Sequence, residues 1–131
     1  KKIKIINRTI DKAEKLASDM GSSINVIDWK HRNKCLEKAA FLVNTTTLGM
    51  KGCPPLDLNL SALPKQALIN DIVYAPVETQ LLKDARARGN PTVDGIGMLL
   101  HQARPGFVEW FGKDPQVTNN LRQYILSSDR S

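Results

Sequence analysis

The chain has 131 residues, 41% of them hydrophobic and 24% charged, and carries a formal net charge of +6. That is enough chain for one domain with a real core, and the composition is that of an ordinary globular protein. No stretch approaches the roughly 20 apolar residues that span a bilayer, and no apolar core follows the charged start Lys1-Lys2-Ile3-Lys4 that a secretory signal would need. The basic balance suits an anionic partner, but the lysines and arginines are dispersed and only 5% of residues are aromatic. Without a stacking platform, nucleic acid is not the expected partner.

The elements alternate in type along the chain. Lys2 to Ile6 alternates and reads as a strand. A helical pattern then runs from Ile10 to Met20 with Ala13, Leu16, Ala17 and Met20 on one face, between Thr9 as N-cap and Gly21 as stop. Ile24 to Ile27 is a second short strand, and Lys30 to Lys38 a polar, helical connection. Ala40 to Asn44 is apolar on both faces, as expected of a strand buried in a parallel sheet. Thr45 to Pro64, rich in Gly and Pro, is a loop. Ala67 to Val73 is a fourth strand, and Glu78 to Arg88 a helix with Thr79 near its start and Gly89 after its end. Pro91 to Asp94 is a fifth strand. Gly95 to Gly112 is helical, with Pro105 expected to kink or break it. Pro115 is placed as the first residue of a last helix ending near Ser127.

Strands alternating with helices imply βαβ units and a parallel sheet, so the fold class is α/β, a partial Rossmann-like doubly wound sheet with flanking helices. Ligands of such sheets bind at the carboxyl ends of the strands. The informative loops therefore begin at Asn7, Asn44, Tyr74 and Gly95.

At the first tip stand Asn7, Arg8 and Thr9, with Lys12 one turn on. In a dinucleotide-binding fold, an acid at this position bonds the ribose hydroxyls of NAD and a basic residue accommodates the 2′-phosphate of NADP. Arg8 and Lys12 suit the phosphate; the same residues also suit a plain helix cap with solvated basic neighbours. Asn44-Thr45-Thr46-Thr47 can face a ligand or simply close its turn. Gly95, Met98 and Gln102 share one helical stripe: a close backbone approach, a soft side chain for a flat ring, and an amide with donor and acceptor. A core helix with one buried amide gives the same periodicity. Tyr74 points either into the loop-side crevice or into the core. Cys35 and Cys53 lie 18 positions apart with no CxxC partner, and His31 and His101 lack carboxylates at ligand spacing. No metal site and no disulfide is expected, only reduced thiols of a cytoplasmic protein.

Taken together these segments resemble shikimate dehydrogenase. The resemblance is carried by Asp71-Ile72-Val73-Tyr74, Glu78-Thr79, Leu81-Leu82, Ala85-Arg86-Ala87-Arg88-Gly89, Thr92-Val93-Asp94-Gly95, Gly97-Met98-Leu99, Gln102-Ala103, Pro105-Gly106-Phe107 and Trp110-Phe111-Gly112. The Asn7-Arg8-Thr9 box and the Asn44 turn support it. It implies reduction of 3-dehydroshikimate to shikimate with NADPH. Asn7, Arg8, Thr9 and Lys12 would hold the 2′-phosphate, and Thr46 would line the cofactor groove. Ile72 and Gly95 would meet the nicotinamide amide, Met98 its ring, and Tyr74 and Gln102 the substrate hydroxyls. The family's acid–base lysine and aspartate match no position here, nor does its glycine-rich pyrophosphate turn. The chain, which begins without Met inside an apolar alternation, is therefore expected to be an inactive portion of a longer enzyme. Residues 1–112 would be a partial NADP-binding domain, and 113–131 a helix packing towards an N-terminal substrate domain. Val117, Leu121, Tyr124 and Ile125 form an apolar stripe on that helix, and a homodimer or self-associating chain is expected. Thr47 and Ala75 stand where Pro and Asn are common in the family. A quinate/shikimate dehydrogenase relative using NAD, and a non-catalytic binding module, are the alternatives.

Overall fold

The computed structural model describes residues 2–21 and 23–128. The chain divides into two compact units, Lys1–Ala40 with Asp57–Ala67, and Phe41–Leu56 with Leu68–Ser131.

In the first unit, β1 (Ile3–Ile6) pairs in parallel with β2 (Ile24–Ile27), Ile3 opposite Ile24 and Ile6 opposite Ile27. A parallel pair needs a crossover, and α1 (Ile10–Met20) supplies it. The helix has the expected bounds. Gly21 ends it in a positive-φ conformation (φ 93°) and returns its N–H to the Ala17 carbonyl, a backbone geometry that favours glycine. Two expectations fail here. Thr9 holds the N-cap position but makes no side-chain cap bond; Asn7 Oδ1 instead accepts the Thr9 N–H at 2.9 Å, closing the turn one step earlier. Of the apolar face, only Ala13 is fully buried, and Leu16 and Met20 are exposed. The segment after β2 is not one helix but two short 3-10 turns, Trp29–His31 and Lys34–Leu36. Asp28 caps the first of them by accepting the Lys30 N–H. Arg32 reaches from the same segment to the Asp57 carbonyl and carboxylate and lies over the Trp29 ring.

In the second unit, β3 (Phe41–Asn44), β4 (Leu68–Asp71) and β5 (Thr92–Val93) form a parallel sheet with β4 in the centre. Crossover α2 (Gln80–Ala87) is capped by the Thr79 hydroxyl, which accepts the Leu82 N–H, and is followed by Gly89 at positive φ. Leu81, Leu82 and Ala85 of α2 are buried, as is Ile69 of β4; each large apolar side chain so covered contributes about 1.5–3 kcal/mol. The other face of the sheet is open. Phe41, Val43, Leu68 and Val93 are exposed on it, so the two-sided burial expected of β3 is corrected to one-sided burial.

Helix α3 (Gly95–Phe111) runs through Pro105 without a break. Proline removes one N–H donor from the ladder, but the remaining bonds carry the helix on to Gly112, whose left-handed conformation (φ 64°) ends it. Helix α4 spans Asn119–Ser128 and so begins four residues after Pro115. The Thr118 hydroxyl accepts the Leu121 N–H, while Asp114 is tied back to Arg104 of α3, which keeps the Pro115 region out of the helix. No helix among the described residues is long and apolar enough to cross a membrane.

Candidate functional site

In the second unit, the carboxyl ends of β3 and β4 are locked by buried polar groups. Asp71 is 0% exposed, a costly place for a carboxylate unless it is fully bonded. Its Oδ1 accepts Asn44 Nδ2 at 3.0 Å and the Val73 N–H at 3.1 Å; its Oδ2 accepts the Thr79 hydroxyl at 2.6 Å. Asn44 passes the constraint on. Its Nδ2 also donates to the Leu48 carbonyl, and its Oδ1 accepts both the N–H and the hydroxyl of Thr46. Thr46 in turn accepts the Leu48 N–H. One hydroxyl has a single donor and two acceptor sites, so turn closure takes the donor and one acceptor and leaves one lone pair of Thr46 for anything else. The main chain joins in: Ile72 N–H donates to the Asn44 carbonyl at 3.1 Å.

The strand end fixed in this way meets the start of α3. A Cβ on Gly95 would lie 2.4 Å from the Ile72 oxygen and 2.6 Å from both the Ile72 carbon and the Val73 oxygen. Glycine is therefore required by the approach of two backbones. Asp94 caps the helix by accepting the Ile96 N–H at 3.1 Å. Arg122 of α4 grips the same carboxylate with both terminal nitrogens. Burial works against the charged form of Asp94, but the Arg122 guanidinium and the Ile96 and Gly97 amides outweigh it and hold the carboxyl below its ordinary pKa. Along the stripe from Gly95, Met98 is half-buried and Gln102 exposed. Gln102 makes no side-chain hydrogen bond among the described residues, so of the two readings of this stripe the buried-amide one does not apply. Tyr74, 44% exposed, follows β4 and precedes the cis Ala75–Pro76 bond; its ring is not core.

In the first unit, Asn7 is half-buried, and Arg8, Thr9 and Lys12 are exposed. Arg8 and Lys12 have no ion pair among the described residues, so two uncommitted cations stand at the amino end of α1. A groove of about 400 Å³ elsewhere in this unit, with Lys4, Asp28, His31, Lys34, Cys35 and Glu37 on its walls, contains none of the sequence-predicted residues. Both cysteines are free thiols.

Comparison with known proteins bears on this arrangement. No family model matches the chain. The NADP(+) shikimate dehydrogenase of Paramagnetospirillum magneticum is 56% identical over 125 residues, covering 95% of this chain and 45% of that protein. The chain is thus similar in sequence to part of an NADP(+) shikimate dehydrogenase. It spans less than half the length of such relatives. Among solved structures, the shikimate dehydrogenase of Thermus thermophilus, in complex with NADP(H) and shikimate, matches with TM-score 0.76 and 26% identity, over 98% of this chain and 45% of that one. The quinate dehydrogenase of Corynebacterium glutamicum, in complex with NAD, matches with TM-score 0.85 and 32% identity, over 96% and 46%. The shikimate dehydrogenase likeness thus extends from sequence to the parallel α/β fold.

Sequence reasoning singled out neither Asp71, Asn44 and Thr79 as one network nor Arg122. The usable signal for the first was an acid on the same strand face as Ile69, where a carboxylate is unstable without partners. Arg122 had no signal, because its partner lies 28 residues away.

Proposed function

We propose that the whole protein is an NADP-dependent shikimate dehydrogenase, reducing 3-dehydroshikimate to shikimate, and that this chain is its cofactor-holding portion. The observation that carries the reading is 56% identity to an NADP(+) shikimate dehydrogenase along 95% of the chain. The donor set fits the cofactor. Uncommitted Arg8 and Lys12, with Asn7, Thr9 and the start of α1, suit a 2′-phosphate. Backbone groups of Ile72 and Gly95 would bind the nicotinamide amide, Met98 would pack on its ring, and Thr46 has one lone pair left for the groove. Tyr74 and Gln102, both exposed, would receive the substrate hydroxyls. Bound NADPH supplies the hydride; the residues of this chain bind and orient, and none is assigned to proton transfer. Residues 1–112 would then form a partial NADP-binding domain, and 113–131, within which α4 spans Asn119–Ser128, the segment that packs towards an N-terminal substrate domain; residues 129–131 lie outside those described. Alone, the chain is expected to be inactive.

The test is oxidation of shikimate and of quinate by the whole protein with NADP+ and with NAD+. Shikimate with NADP+ should be the preferred pair. Faster turnover of quinate with NAD+ would favour the second reading, which the fold likeness to the NAD-bound quinate dehydrogenase supports. Free thiols agree with a cytoplasmic location. Exposed Phe41, Trp110, Phe111 and Tyr124 support self-association of the chain, which sedimentation equilibrium would check: a monomer at all concentrations refutes it.

A further inference from the structure

Asp94 is held from two sides. Within α3 its carboxylate accepts the Ile96 N–H. From α4, Arg122 Nη1 donates to Oδ1 at 3.1 Å and Nη2 donates to Oδ2, the planar fork on a carboxylate that fixes direction as well as distance. The pair is partly shielded, with side chains 31% and 17% exposed. The next residue, Gly95, has its Cα against the Ile72 and Val73 carbonyls with no room for a methyl group. Pro105 gives α3 one bond fewer in its middle, so the placement of its first turns depends on how its start is anchored.

We propose that Arg122 is a positioning residue: its fork on Asp94 fixes the first turn of α3 and so keeps Gly95, Met98 and Gln102 in register with the strand end at Ile72. This rests on the reading of those residues as nicotinamide and substrate contacts. A helix turns as a unit, so a tilt at Asp94 moves the whole stripe. The adenosine-end residues Arg8 and Lys12 belong to the other compact unit. Losing the fork should therefore impair turnover more than cofactor capture.

The experiment compares Arg122→Gln, Arg122→Lys and Asp94→Asn in the whole protein, reading kcat, KM for NADP+ and kcat against pH. Arg122→Gln should lower kcat about tenfold, as small misplacements of bound groups do, with a much smaller change in KM for NADP+. Its acid limb should move to higher pH. The groups facing Asp94 are Arg122 and the amides of Ile96 and Gly97, and without the guanidinium the burial that opposes ionisation gains weight. Arg122→Lys should recover part of kcat. Asp94→Asn keeps an oxygen for Ile96 but loses the charge; it should lower kcat without moving the acid limb. Wild-type kcat and pH profile in Arg122→Gln overturn the proposal. So does an equal fall in kcat for Gln and Lys that tracks an equal fall in melting temperature. If the wild-type protein does not turn over shikimate, the functional reading fails instead. The amide resonances of Gly95 to Gly97 then decide positioning: unmoved in Arg122→Gln, they overturn it.

Discussion

Gly95→Ala adds one methyl group at the most crowded glycine of the second unit. The new carbon would sit 2.4 Å from the Ile72 oxygen and 2.6 Å from two further backbone atoms, where roughly 3.3 Å is the closest comfortable carbon–oxygen separation. Both neighbours are main chain and cannot rotate away. Ile72 is also held by its N–H bond to the Asn44 carbonyl, and Val73 by its N–H bond to Asp71. The start of α3 must then retreat by about 1 Å. Overpacking of this kind costs about 1–3 kcal/mol, and fixed neighbours put it at the upper end. Alanine returns up to about 1 kcal/mol of helix propensity over glycine. The net loss is about 2 kcal/mol, or several degrees of melting temperature. Thermal unfolding of the whole protein gives the first half of the result. The second is kinetic: the retreat separates Gly95 from Ile72, so kcat/KM for NADP+ should fall as well. A variant that melts with the wild type and turns over normally would show that the two backbones do not approach as closely as described.

Three further outcomes are expected. Arg8→Ala should weaken NADP+ by about ten- to a hundredfold, the worth of a charge-assisted contact of about 1.5–3 kcal/mol, and leave NAD+ nearly unchanged; equal losses in a fluorescence titration would remove Arg8 from the phosphate site. Gln102→Ala should raise KM for shikimate at unchanged NADP+ affinity, and a fall in cofactor affinity instead would make it a scaffold residue. Asp71→Ala strips a partner from Asn44, Val73 and Thr79 together and should cost about 3 kcal/mol or more, since each orphaned buried donor costs about 1–3 kcal/mol; an unfolding curve that overlays the wild type would mean that the network does not hold the strand ends.

Local punctuation explains which elements were legible in the sequence. Helix α1 has the expected bounds, ended by Gly21 although Asn7 rather than a Thr9 cap closes the turn at its start, and α2 lies between Thr79 and Gly89, because caps and stops act within a few residues. What failed depends on the rest of the molecule. Pro115 satisfies every local condition for starting a helix, but Arg104 draws Asp114 back to α3, and Thr118 offers its own oxygen to the Leu121 N–H. Pro105 has the local signature of a break, yet α3 is long enough on both sides to absorb one missing bond. An apolar run such as Phe41-Leu42-Val43 specifies a strand but not what covers each face; here α2 lies on one side of the sheet only.

The candidate site divides along the same line. The stripe Gly95, Met98, Gln102 follows from helical spacing, and the close approach expected of Gly95 is present, though towards Ile72 and Val73 of its own chain. The roles given to Tyr74 and Gln102 came from family likeness, and the structure adds that both are exposed. What spacing could not show is how these pieces are held. Asn44 meets Asp71 across 27 residues, and Asp94 meets Arg122 across 28. One physical argument reaches part of this from sequence alone. A carboxylate at the end of Leu68-Ile69-Asn70-Asp71 cannot enter a core unbonded, so Asp71 had to have donors waiting. Strand alternation puts it on the face of Ile69, and the capping hydroxyl of the helix that crosses that face, Thr79, is the donor that the next helix start must bring. The same polar group thus starts α2 and anchors β4, which is why the backbone at Ile72 and Val73 is fixed where Gly95 comes to rest.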